Sequence, residues 1–270
     1  MLIEENILEK EDKMKILIVG AGNMGAWLVE ALCLDYDVAV FDTDKRKLKF
    51  FFNSHRLVKP EEISNFAPEL MINAVSLQNT INAFNFILPF LPADCIISDI
   101  ASVKTGLFEF YQKSGRRFVS THPMFGPTFA NIKELSEQNA IIIKESDSIG
   151  KKFFYDFYSS LNLNIFNYTF EEHDQTIAYS LSIPFTSTLV FASVMKKMEA
   201  PGTTFKKHMA IAKGLLSEND YLLSEVLFNP FTLEQVENIN SRLEYLIQII
   251  KRRDTVEMHK FIDGLRKNIE

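Results

Sequence analysis

The sequence predicts an α/β fold: a doubly wound, mostly parallel sheet followed by an all-helical domain. Three observations carry this expectation. Compact apolar runs alternate with helical spacings from Lys15 to Tyr168. A glycine-rich turn directly follows the first run. After Phe170 the strand-like runs stop, and apolar residues recur at helical spacing.

Lys15–Val19 is short, apolar and β-branched and ends in glycine, as a buried strand does. Trp27, Leu28 and Leu32 recur at helical spacing, and Asp37–Phe41 is a second strand closed by Asp42. Leu70–Val75, Cys95–Ile100, Arg117–Thr121, Ala140–Ile143 and Asn164–Tyr168 are the further strands, with helices over Asn79–Leu91, Val103–Lys113 and Ile149–Leu161. Helices then cover Glu171–Met198, kinked at Pro184, and His208–Leu216, Tyr221–Leu227, Thr232–Ile250 and Thr255–Leu265. Thr232 with Gln235 makes a capping box. The expected organisation is a charged extension over 1–13, a dinucleotide-binding domain over 14–168 and a helical substrate and dimerisation domain over 169–270.

Composition narrows the function classes. The 270 residues are 47% hydrophobic and 24% charged, with a net charge of −6. That is a globular composition, with no electrostatic case for nucleic acid or an anionic membrane. The two cysteines, Cys33 and Cys95, sit in apolar runs and read as buried thiols in a reducing cytoplasm. Leu70–Ala93 and Gln175–Met195 are uncharged and long enough to span a bilayer. Their many Asn, Gln, Ser, Thr and Pro residues mark them as protein interior. Ser180, Ser182, Ser187, Ala192 and Ser193 put small side chains on a long uncharged helix, which favours close helix contact in a homodimer.

Gly20, Ala21, Gly22, Asn23, Met24 and Gly25 form a G-x-G-x-x-G turn between a strand and a helix. Gly20 permits the tight turn, Gly22 lets a pyrophosphate approach the backbone, and Gly25 allows close helix–strand packing. Asp42 can accept both adenosine ribose hydroxyls and would repel a 2′-phosphate, which favours NAD over NADP. Val75 and Ser76, at the end of a later strand, complete the Rossmann-like cofactor site.

Two motifs follow later strands: DIASVK (Asp99–Lys104) and THPMFGP (Thr121–Pro127). Both point beyond the carboxyl ends of the strands, where ligands bind in such sheets. His122, followed by Pro123 and a Gly126–Pro127 bend, suits positioned acid–base work on a constrained turn. His55, His173, His208 and His259 are scattered without metal-ligand spacing, so no metal is expected.

GAGNMG, DIASVK, HPMFGP and EEHD (Glu171–Asp174), in this order, resemble the prephenate and arogenate dehydrogenases of tyrosine biosynthesis over about residues 14 to 260. The resemblance implies NAD-dependent oxidative decarboxylation of prephenate to 4-hydroxyphenylpyruvate, with arogenate as the rival substrate. It implies that His122 accepts a hydrogen bond from the ring hydroxyl, that Ser102 orients it, and that Lys104 holds the loop or offers charge. As an acceptor His122 must be neutral, so activity should fall as pH drops through its pKa, near 6.5 if unperturbed. A catalytically silent NAD-binding dimeric regulator and a β-hydroxyacid-type reductase are the alternatives; the Ser102–His122 pair and HPMFGP argue against them.

Two family features are replaced. Phe185 stands where the family often has a histidine, and Gly214 where it has a substrate-binding arginine. Lys213 or His208 is the expected cationic partner for substrate carboxylates, with Ser182 and Thr186 as neutral ones. Glu171, Glu172, His173 and Asp174 read as a helix N-terminal turn.

Overall fold

The computed structural model describes residues 13–125, 135–196 and 198–269. The expected extension, apart from Lys13, and the Gly126–Pro127 bend lie outside the described residues. The chain divides into two compact units after His173.

The first unit is built on an eight-stranded sheet: β1 Lys15–Val19, β2 Asp37–Phe41, β3 His55–Leu57, β4 Leu70–Asn73, β5 Ile96–Asp99, β6 Phe118–Pro123, β7 Asn139–Ile143 and β8 Asn164–Tyr168. Their order is β3-β2-β1-β4-β5-β6-β7-β8. All neighbours are parallel except β6 and β7. Order reverses between β1 and β4, which opens the ligand crevice of a doubly wound sheet beyond their carboxyl ends.

The sheet is apolar on both faces because both are covered. Ile16, Ile18, Val38, Val40 and Val119 pack with α1 (Asn23–Leu32) and α5 (Ser148–Ser160). Leu17, Val19, Met71 and Ile97 pack with α3 (Thr80–Ile87) and α4 (Leu107–Ser114) on the other side. The short edge strand β3 and α2 (Glu61–Phe66) went unread in the sequence. Both are brief and polar, and β3 buries only Leu57. Strand β6 runs two residues further than expected, so His122 and Pro123 are strand residues rather than turn residues. Pairing of His122 with Ile141 in β7 is the cause. Of the cysteines, Cys95 is buried and Cys33 only half-buried.

A capping box opens α6 (Phe170–Ile177). The Glu172 carboxylate accepts from Thr169 N–H at 2.7 Å, and Thr169 Oγ1 accepts from Glu172 N–H at 3.0 Å. The box expected at Thr232 does not form: no side chain caps that helix. Its hydroxyl is instead 2.6 Å from Ser182 Oγ.

The second unit is helical: α7 Ile183–Val194, α8 Thr203–Leu215, α9 Asp220–Leu227, α10 Thr232–Arg252 and α11 Thr255–Lys267. Before α7 the helix widens into a π-helical turn at Ala178–Ser182. Pro184 lies in the first turn of α7, where a missing N–H and a ring clash loosen the preceding backbone. Helix α7 packs on α8 and α10, yet none of its residues is fully buried. The helical run Phe170–Val194 is long and apolar enough to cross a membrane by length and composition, and 17% of its most apolar window is buried within the chain. The interior position expected for Gln175–Met195 is thus not reached in a single chain.

Candidate active site

The glycine turn sits at the switch point. Gly20 has φ +104°, and a Cβ there would lie 2.9 Å from the carbonyl of Ala74. A Cβ on Gly25 would fall 1.8 Å from the Gly20 oxygen, so α1 approaches β1 as closely as glycine allows. Gly22 faces open space, the room a phosphate needs. A hollow of about 500 Å³ lies there, lined by Gly20, Gly22, Phe41, Asp42, Lys47, Val75, Ser76 and Phe86, among others. Asn23, Met24 and Gly25 open α1 behind it.

Asp42 closes β2 beside the hollow. Its Oδ2 accepts from Ala21 N–H at 2.8 Å and its Oδ1 from Asp44 N–H at 2.7 Å. The carboxylate is thereby held in the glycine turn. Lys47 Nζ is 3.4 Å from Asp42. Arg46, which would have to turn inward to support a 2′-phosphate, instead makes paired 2.9 Å contacts with Asp44. Gly22's open space, the hollow and the carboxylate together fit an adenine dinucleotide with a free ribose 2′-hydroxyl.

The second cluster lies along the same carboxyl edge, at the ends of β5 and β6. Period two puts Phe118, Ser120 and His122 on one face of β6. Phe118 stacks on Tyr111 there, with ring centroids 4.2 Å apart. Thr121 points to the other face, 2.8 Å from Tyr158 Oη. Asp99, fully buried at the end of β5, accepts from Tyr111 Oη at 2.6 Å, from Ala101 N–H at 2.9 Å and from Lys104. Lys104 Nζ also donates to Thr121 O at 2.7 Å. Lys104 is therefore a buried tie between the DIASVK loop and β6. Half-buried Ser102 lies on the loop between these two anchor points.

His122 is 7% exposed, and its Nδ1 is 3.1 Å from Nε2 of His173. Burial holds His122 well below the ordinary imidazole pKa, and the neighbouring His173 and Lys104 add to it. Burial and the Lys104 ammonium lower His173 to about 3, partly opposed by Asp99. Both rings are thus neutral at physiological pH. The sequence alone places His173 in a helix-terminal turn. A signal was present: Phe170, His173 and Ile177 share one apolar helical stripe, and all three are buried.

The residues expected at the substrate lie in the helical unit. Ser182 is fully buried, with its hydroxyl between Thr232 Oγ1 and Val226 O at 3.2 Å. That use inside the unit removes it from the substrate candidates. Thr186 Oγ1 is buried without a hydrogen-bond partner among the described residues. His208 is exposed on α8, with Nδ1 3.0 Å from Thr204 O. Exposed Lys213 lines a second hollow with Met195, Met198, Phe205 and Met209. Gly214 faces open space.

Residues 43–157 match the family model described as "Prephenate dehydrogenase, nucleotide-binding domain". A probable arogenate/prephenate dehydrogenase from Methanocaldococcus jannaschii is 21% identical over 201 residues. The match takes in 69% of this chain but only 44% of that relative's length. The fold is that of a prephenate dehydrogenase from Aquifex aeolicus, solved with hydroxyphenyl propionate and NAD+ (TM-score 0.79, 17% identity, 95% of this chain and 98% of the other). A Synechocystis arogenate dehydrogenase superposes at TM-score 0.72 and 17% identity, over 95% of this chain and 100% of the other.

Proposed function

We propose that this chain, a relative of the prephenate and arogenate dehydrogenases, is an NAD-dependent dehydrogenase that oxidatively decarboxylates prephenate to 4-hydroxyphenylpyruvate. One observation carries the reading above all: a neutral His122 on the same sheet edge as the glycine turn and its hollow. Bound NAD would supply the hydride acceptor. Gly20, Ala21, Gly22, Asn23, Met24 and Gly25 would hold its pyrophosphate, Asp42 its ribose, and Val75 and Ser76 the flank of its cleft.

The protein's part is positioning and one proton. As hydride leaves the carbinol carbon, the hydroxyl becomes strongly acidic and gives its proton to neutral His122. The bond to the ring carboxylate then breaks, carbon dioxide departs, and its electron pair completes the aromatic ring. The oxygen is now phenolate and takes the proton back from His122. A positioned acceptor of this kind contributes roughly 10²–10⁴-fold. Ser102, fixed on its loop by Asp99 and Lys104, would orient the hydroxyl. Lys213 or His208, with Thr186, would meet the substrate's carboxylates, in place of the arginine that the resemblance leads one to expect where Gly214 stands.

The helical unit is proposed to form a homodimer, the apolar, incompletely covered α7 supplying the contact. A cytoplasmic location accompanies this reading. Light scattering on the purified chain tests the dimer, and a monomeric mass would overturn it.

Prephenate and arogenate, each with NAD and with NADP, test the activity by the absorbance of reduced nicotinamide. We expect turnover with prephenate and NAD. Turnover with arogenate alone would move the assignment to the amino substrate. None with either would leave a silent nucleotide-binding protein. His122→Asn is expected to bind NAD normally while losing most of its turnover.

A further inference from the structure

A neutral imidazole carries one ring proton, and only its unprotonated nitrogen accepts a hydrogen bond. Nδ1 of His122 faces His173, so Nε2, across the ring, is the nitrogen left for a substrate hydroxyl. A neutral histidine left to itself favours the Nε2–H form, in which that nitrogen donates. An acceptor at Nδ1 reverses the preference, because the second ring nitrogen is set by the bond the first one makes.

We infer that His173 is a positioning residue: its Nε2 accepts the Nδ1–H of His122 and so keeps the His122 Nε2 lone pair turned to the substrate alcohol. The inference rests on His122 being the proton acceptor. His173 then carries its own proton on Nδ1 and stays neutral throughout. When His122 takes the alcohol proton, its Nδ1–H bond to His173 becomes charge-assisted and strengthens.

The surroundings suit a fixed, neutral acceptor. The capping box between Thr169 and Glu172 sets the start of α6, and His173 N–H bonds Thr169 O at 2.9 Å. Phe170 and Ile177 bury the same face of the helix. His122 is pinned from the other side by the β6–β7 ladder. The Lys104 ammonium and the N-terminal end of α6 both disfavour an imidazolium at His173. The ring centroids are 5.3 Å apart and the planes are not stacked, a separation that, with nitrogens 3.1 Å apart, places the rings edge to edge along the N···N line, as an in-plane N–H···N bond requires.

Nitrogen NMR of the full-length, histidine-labelled protein reads the tautomer without substrate. We expect a protonated Nδ1 and an unprotonated Nε2 at His122. A proton on Nε2 would overturn the inference whatever the enzyme turns over. In His173→Gln a carboxamide oxygen can accept the same N–H, so tautomer and most of kcat should be kept. In His173→Leu the Nε2–H form should appear and kcat should fall roughly 10–100-fold, the usual cost of losing an orienting partner, with KM for NAD unchanged. A folded Leu variant with unaltered tautomer and kcat, or a Gln variant as impaired as Leu, would refute the role. Should the Leu variant not fold, the wild-type spectrum and the Gln variant still decide. Absence of turnover in the wild type, by contrast, would strike the proposed activity and leave the spectroscopic answer standing.

Discussion

Lys104 is buried completely against Asp99, five residues earlier in the chain, and its ammonium also reaches the carbonyl of Thr121. Through this pair one loop and two strands meet at a single point. Removing one partner of a buried pair leaves the other uncompensated, at about 3–5 kcal/mol. Lys104→Met should therefore lower the thermal midpoint by many degrees and weaken turnover as the Ser102 loop loosens. A melt within a degree or two of wild type would show that the pair is not needed.

The pH dependence follows from the two depressed imidazoles. Neutral His122 persists well below the ordinary histidine range, so the rate should stay level through pH 6.5 and fall only in more acid solution. This replaces the limb near 6.5 expected for an unperturbed ring. An acid limb centred at an ordinary histidine pKa would contradict it.

Stability should respond in the same direction. Unfolded histidine binds a proton below about pH 6.5, while folded His173 resists down to about 3. The unfolded state therefore holds more protons across that window, and stability falls as pH drops through it. Melting temperature measured from pH 7.5 downward should decline more steeply for wild type than for His173→Gln. Parallel curves would count against the burial argument.

Gly22 and Gly25 should fail in different ways. Gly25→Ala drives a methyl into the Gly20 carbonyl and should disturb the α1–β1 contact itself, with loss of stability. Gly22→Val has room and should fold normally, yet fill the phosphate's space and weaken NAD binding at least tenfold. Calorimetric titration and thermal melts on both variants separate the outcomes.

Thr169→Ala removes one half of the capping box on α6, at about 1 kcal/mol. Because His173 begins the next turn, kcat should drop as well, with KM for NAD unaffected. Thr232→Ala, by contrast, removes no helix cap and should alter only the buried hydroxyl contacts with Ser182 and Val226.

Most of the sheet was legible because its strands are apolar on both faces and bounded by Gly, Asp and Asn. The cofactor turn was legible because Gly20, Gly22 and Gly25 each answer a separate steric demand. His55–Leu57 was not, since an edge strand with one buried residue carries no periodic signal. Thr232 and Thr169 show the weakness of a short motif: both head a T-x-x-Glu/Gln pattern, and tertiary context decides which hydroxyl caps a helix. The burial of His173 was legible in its helical stripe, but its contact with His122 was hidden for a related reason. Its partner lies 51 residues away in sequence, and nothing local announces a long-range ring contact.

Because His122 rides on a strand whose side chains alternate, its placement is digital rather than graded. Excising any single residue between Phe118 and Thr121 would shift the frame by one, placing Pro123 where the imidazole belongs and driving the ring toward Tyr158. Natural or engineered variants of this chain can thus drift in side-chain identity along β6, but its residue count is not free to change.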